Sequence, residues 1–338
     1  MFGKRLIKSN DEGGDASFNT VLWTGNSSVA QTITGMGFTP DLVWSKQING
    51  TAAHRLLDSV RGDGRYLYSN LTNSEDGYNS DYMRLASDGV LLPGADSNFG
   101  TTNTWVGWGW KAGGAAVTNT DGSITSEVSA NVDAGFSVVT TASQTNGTTH
   151  SIGHALSASP SVIIAKGLGS SEWNVWHQGL GTPTIPGLNY LLLNRTDAKG
   201  SFGETAGRYA NMATNTFSFN YYDQAMVFYC FAEKAGFSKF GSYSGNGSAT
   251  GTTVTTDFEP AFVMIKRIDS TGNWVILDNK RDTSNPINKT LNPNLSAAES
   301  TANDIDFNAT TFQLKSTNAD TNASGTNNYI YMAFANQF

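Results

Sequence analysis

One cysteine, Cys230, stands in 338 residues, so no disulfide can form within the chain. Such a protein, working outside a cell, has to be held by its cores or by association. Charge is also sparse, at 14% of residues with a net −7, which argues against nucleic acid or an anionic membrane surface as the main partner. The four histidines, His54, His150, His154 and His177, include no metal-ligand spacing with cysteine or carboxylates. His150 and His154 are four apart, but in a Gly/Ser/Thr stretch read as a loop. The longest apolar run, Ala225–Ala232, is far too short to cross a bilayer, so no membrane insertion is expected. The opening MFGKRLIKSN has basic residues but no apolar stretch of secretory-signal type. No phosphate-binding glycine loop, nucleophile elbow or zinc-protease helix is present. A sustained 3.6-residue apolar period is missing as well, so little helix is expected, with Leu295–Ala302 the candidate for a turn or two.

What the chain does have is an internal repeat. PDLVWSKQINGTAAHRLLDSVR (Pro40–Arg61) returns 220 residues later as PAFVMIKRIDSTGNWVILDNKR (Pro260–Arg281). A weaker copy, PSVIIAKGLGSSEWNVWHQGLG, starts at Pro160. Lys46, Lys166 and Lys266 align, and one deletion brings His54, Trp173 and Trp274 level. A second landmark closes each copy: WVGWGWK (Trp105–Lys111), MVFYCFA (Met226–Ala232) and YIYMAFA (Tyr329–Ala335). Two landmarks recurring together in three places define three units.

Within a unit, short β-branched and aromatic runs alternate with Gly, Asn and Asp turn signals about every 8–12 residues. The first unit predicts strands at Val21–Trp23, Asp41–Lys46, Arg55–Val60, Tyr66–Tyr68, Met83–Leu85, Val90–Leu92 and Trp105–Trp110. The fold class expected is all-β, three tandem antiparallel β-sandwich (jelly-roll-like) units with little helix. The expected division is a flexible arm at 1–17, units at 18–112, 135–236 and 237–338, and a linker or added hairpin at 113–134. In the closing strand, Val106, Trp108 and Trp110 share a face by the two-residue period, as do Val227, Tyr229 and Phe231, and Ile330, Met332 and Phe334. That face is the core face, and the mixed opposite face meets a neighbouring layer. Cys230 then reads as a packed thiol.

Candidate chemistry is thin. Asp58 with Arg61 and Asp278 with Arg281 repeat, but the second unit has His177 and Leu180 there; a turn bond or surface ion pair is the structural reading. Asp63, Asp76, Asp81 and Asp88 crowd the first unit without EF-hand spacing and read as solvated turns. Tyr66, Tyr68, Tyr78 and Tyr82, with Tyr221 and Tyr222, are the aromatics in loops that could stack on sugar rings; covering the core is their other reading. In the N-terminal arm, Lys4, Arg5 and Lys8 precede Asp11, Glu12 and Asp15, as either a disordered tail or a docking peptide. No catalytic residue, metal or cofactor is assigned.

The phrases GFTPDLVWSK, LLDSVRG, NTDGSITSEVSANVDAGFSVVT, KFGSYSGNG, NPNLSAAES and YIYMAFA resemble a repeated domain of structural proteins of tailed phages and prophages, of the marine and cyanobacterial type. The resemblance runs from about Phe18 onward. It implies a non-enzymatic virion component, a tail fibre, appendage or capsid decoration. Such a protein would assemble in the host cytoplasm as a homo-oligomer, a trimer among the options, beside other virion proteins. The alternative is a lectin-like, receptor-binding adhesin contacting host surface glycans. A polysaccharide depolymerase would need paired acids in a cleft, and no pair is shared by the units.

Overall fold

A computed structural model describes residues 16–336 except 27–28, 78, 80, 95–98, 100–101, 182–189, 201–207, 222 and 326–327. The chain is all-β. Its first unit contains β1 (Phe18–Thr24), β2 (Gln31–Thr34), β3 (Leu42–Gln47), β4 (Arg55–Asp58), β5 (Arg84–Ala86), β6 (Gly89–Leu92) and β7 (Thr104–Trp110). A hairpin, β8 (Val117–Asn119) and β9 (Ser126–Asn131), leads to β10 (Phe136–Thr141), β11 (Thr149–Gly153), β12 (Val162–Gly167), β13 (Trp173–His177), β14 (Leu191–Leu192), β15 (Tyr209–Ala210), β16 (Thr216–Asn220) and β17 (Met226–Phe231). The third unit runs through β18 (Ser238–Ser244), β19 (Thr253–Thr255), β20 (Phe262–Arg267), β21 (Trp274–Asp278), β22 (Ile305–Asn308), β23 (Thr311–Leu314) and β24 (Asn328–Phe334). The α-helix among the described residues is a single turn, α1 (Ala319–Asn322).

Sheet order repeats with the sequence. The large sheets are ordered β1-β7-β3-β4, β10-β17-β12-β13 and β18-β24-β20-β21, and the small ones β2-β6-β5, β11-β16-β15 and β19-β23-β22. All of these pairings are antiparallel. The second large sheet is wider, with β14 on one edge and β9-β8 on the other.

Each unit therefore has two unequal layers. Between its sheets lies a private core: Val21, Trp23, Ile33, Val43, Leu57 and Trp105 in the first, for example. Gly107 and Gly109 serve that core. A Cβ at Gly109 would lie 2.6 Å from Met36 Sδ, and one at Gly107 would lie 3.0 Å from the Trp23 ring. The predicted core face of the closing strands turns the other way. Val106, Trp108, Trp110, Val227, Tyr229, Phe231, Ile330, Met332 and Phe334 all belong to one core shared by the three large sheets. The period-two alternation is right; the partners of that face are the other two units. Trp110, Phe231 and Phe334 meet as a triangle, with ring centroids 6.2, 5.7 and 5.8 Å apart. Beside them is a void of about 10 Å³ lined by apolar side chains from all three units, including Leu42, Ile164 and Met264, with room for one water at most.

Several expectations need correction. Of the two readings of residues 113–134 the added hairpin holds and the linker does not, because β8 and β9 extend the second large sheet through β10. Leu295–Ala302 is not helical; Ser300 bridges Thr290 instead. Tyr66–Tyr68 gives a single bridge, Leu67 to Leu56, rather than a strand. β2, QTIT, was not foreseen, since Ile33 is its one apolar residue. His150 lies in β11 with His154 just after it, so that stretch is strand and not loop.

A shared core makes unfolding cooperative. Trp110→Ala or Phe334→Ala should cost about 3–5 kcal/mol, the usual range for truncating a buried aromatic. The loss should lower one transition for the whole chain in urea melts followed by near- and far-UV circular dichroism. Separate transitions for the units would contradict the shared core.

Candidate functional site

The repeated polar residues gather where units meet. After its fourth strand each unit sends a loop across to the next one. Glu75 N–H donates to Leu168 O at 2.8 Å, Lys199 N–H to Ile268 O at 3.0 Å, and Glu299 N–H to Ile48 O at 2.8 Å. Leu168, Ile268 and Ile48 all follow by two residues their unit's marker lysine, so these bonds are equivalent and close a ring: first unit to second, second to third, third to first.

Side chains mark the same seams. Trp173 Nε1–H donates to Tyr68 O at 2.8 Å and Trp274 Nε1–H to Leu192 O at 3.0 Å. His54 fills the third place, its Nε2 bonded to Asn292 O at 3.0 Å. The reading of His54 as the counterpart of the two tryptophans thus agrees with the geometry. An asparagine supports each from behind: Asn70, Asn194 and Asn294 Oδ1 accept from the backbone N–H of His54, Trp173 and Trp274. These asparagines follow the residues they support by 16, 21 and 20 positions, so spacing alone does not reveal them. Lys46, Lys166 and Lys266 are fully buried, held by backbone carbonyls rather than carboxylates. Burial lowers each ammonium to about 8.

The Asp-x-x-Arg pairs are turn bonds, and they are interior rather than at the surface. Asp58 Oδ1 accepts from Arg61 N–H, and Oδ2 pairs with the guanidinium at 2.5 Å. Asp278 and Arg281 repeat this at 2.8 and 2.6 Å. Each arginine also grips a glutamate at 2.9 Å, Glu75 or Glu299. A neighbouring unit completes each carboxylate: Tyr229 O–H donates to Asp58 at 2.8 Å and Trp108 Nε1–H to Asp278 at 3.1 Å. In the second unit the set changes together. His177, Leu180 and Lys199 stand for Asp, Arg and Glu, and the neighbour there is Met332, which has no donor. His177 Nε2 bonds Tyr331 O instead, at 3.0 Å.

The remaining candidates divide. Tyr66 is 1% exposed, stacked on Tyr82 at 4.6 Å, with its phenol oxygen accepting from Met83 N–H. Tyr221 is 0% exposed and bonded to Thr141 Oγ1 at 2.7 Å. Neither can stack on a sugar; both are core. Tyr82 is half-buried with one face taken by Tyr66. Tyr78, Tyr222, Lys4, Arg5 and Lys8 lie outside the described residues. Tyr68 differs. It is half-buried, its phenol donates to the Asp76 carboxylate, and it lines a groove of about 490 Å³ with Gln47, Arg55, Asn73, Asp76 and Asn103. Arg55 was not foreseen; its signal is an arginine at a buried register position in β4. Two of the turn aspartates tie their loops to other segments of the unit: Asp63 accepts from Leu85 N–H, and Asp88 from Gly35 and Gly37 N–H. Asp76 faces the groove. Cys230 is fully buried, and burial pushes its thiol up.

These features define a class: an all-β protein whose three sheet pairs close into a ring around one core. The chain belongs to the family described as a domain of unknown function (DUF7483), whose model matches residues 14–337 and so spans all three units. No curated protein and no solved structure matches the chain.

Two outcomes test the seams. Arg281→Leu leaves Asp278 buried without its cation and should cost about 3–5 kcal/mol in urea denaturation, with part restored by adding Asp278→Asn. Acid should loosen the seams through the histidines. Nδ1 of His54 accepts from Trp44 Nε1–H and Nδ1 of His177 from Gly179 N–H, both at 2.9 Å, so each ring is held neutral. Burial lowers His177 from 6.5 to about 4 and His54 well below 6.5, the latter with Lys46 and Arg281 pressing the same way. The unfolded chain therefore takes up protons first. The stability these rings contribute is complete above pH 6.5 and falls as pH drops towards 4. Urea midpoints measured across that window should fall, and less steeply in His177→Gln.

Proposed function

We propose that the protein is a non-enzymatic structural component of a tailed-phage particle, a tail fibre, appendage or capsid decoration, present as a homo-oligomer among other virion proteins. One observation carries this reading: the repeated buried polar groups beside the seams already satisfy one another or the backbone, the lysines on carbonyls, the arginines on carboxylates and the asparagines on the N–H groups of the seam residues. A particle part must endure without disulfides or cofactors, and a ring with a common core suits that demand. Residues 1–17, with Lys4, Arg5 and Lys8, are proposed as the docking arm.

A second reading, attachment to host surface glycans, is favoured by the groove beside Tyr68. The experiment is a cryo-EM map of the intact particle, with peptide mass spectrometry to assign the chain. Density on the capsid or tail supports the structural reading. Absence of the chain from purified particles overturns it. An exposed distal position would favour attachment over decoration.

A further inference from the structure

The groove beside Tyr68 is built differently from the seams. Gln47 closes β3, Arg55 opens β4, Tyr68, Asn73 and Asp76 come from the crossing loop, and Asn103 precedes β7. At about 490 Å³ it falls within the range of roughly 300–1,000 Å³ usual for small-molecule sites.

Its polar groups are fixed before any ligand arrives. Arg55 is 6% exposed, and its guanidinium lies 5.4, 5.1 and 5.0 Å from the ring centroids of Tyr66, Phe99 and Trp105. Tyr68 is tied at both ends, its carbonyl accepting from Trp173 Nε1–H and its phenol donating to Asp76. Burial, then Asp76, pushes that phenol up, so it stays a donor to the carboxylate at neutral pH.

The polar residues of this groove are not shared by the three copies. The place of Arg55 is taken by Asn174 and Val275, and that of Tyr68 by Leu192 and Asn292. Only the carbonyl of Tyr68 is needed at the seam. The guanidinium, ring and carboxylate together belong to the first unit alone.

The chemistry of the lining selects a ligand. Among the described residues one cation and one anion line the groove, so their charges cancel. The exposed amide of Asn73 offers a donor and an acceptor, and the amide of Gln47, whose Nε2 donates to Asn49 Oδ1, keeps its oxygen as an acceptor. Paired hydroxyls on a pyranose can meet both kinds of group, and its C–H face packs on an aromatic ring. An anionic ligand would meet the Asp76 carboxylate, and an apolar one would strip water from the Asn73 amide and the carboxylate with no replacement. We infer that this groove binds a neutral saccharide, with Tyr68 as the packing surface and Asp76, Arg55 and the amides as hydroxyl partners. The inference rests on the attachment reading and names its ligand class.

The test uses the full chain and a panel of neutral disaccharides built from glucose, galactose, mannose and N-acetylglucosamine. Saturation-transfer NMR screens the panel, and titration calorimetry measures the best member. The expected result is binding of at least one disaccharide, weakened tenfold or more by Tyr68→Ala and by Asn73→Ala. Asn73 is exposed in a loop, so its variant keeps the fold even where Tyr68→Ala disturbs it. No binding across the panel overturns the inference, as does binding that neither variant changes. The attachment reading fails separately: the isolated chain binds, but particles do not adhere to a surface coated with the same disaccharide.

Discussion

A β-sheet that is apolar on both faces must be covered on both, and this requirement organises the whole molecule. The strands β7, β17 and β24 are buried along nearly their whole length. Each unit's own three-stranded sheet covers one face. The other has no cover within its unit, so it is left to the other two units. Three such faces meeting in the middle satisfy one another, and the Trp110, Phe231 and Phe334 triangle is where they touch. A unit taken alone would expose a large aromatic surface, which soluble monomers rarely carry.

The seams add direction to this burial. Hydrophobic contact alone does not specify which edge meets which. The crossing loops do, because each backbone donor finds the carbonyl two residues beyond the next unit's marker lysine. The buried ion pairs follow the same cycle. Replacing part of such a set strands a charge, whereas replacing all of it is tolerable. The second unit illustrates the tolerable case, with His177, Leu180 and Lys199 changed together opposite Met332. What looks in sequence like a degenerate repeat is a local solution to a neighbour without a hydrogen-bond donor.

Much of the fold was legible in the sequence because the repeat and the two-residue period are strong signals. The alternation in WVGWGWK, MVFYCFA and YIYMAFA identified the buried face correctly. It could not identify the partners of that face, since burial against one's own second sheet and burial against another unit read alike. The polar composition of 117–131 left it open between linker and hairpin, and β2 was hidden by having Ile33 as its one apolar residue. The site was less legible. Tyrosines in turn-rich stretches do not announce whether they face in or out: Tyr66 and Tyr221 fill cores, while Tyr68, two residues from Tyr66, lines a groove. The lysines were visible as landmarks and the seam asparagines were not, and the role of both depends on which loop crosses to which unit, a property of the closed ring.

The central claim is that the three seams hold or open as one. Native-state hydrogen exchange at the amides of Glu75, Lys199 and Glu299 tests it most directly, since each is the donor of an equivalent seam bond. The account predicts one opening free energy for all three, equal to that of global unfolding and with the same denaturant dependence. Exchange of any one of them through a much cheaper local opening, with the core amides still protected, would contradict it.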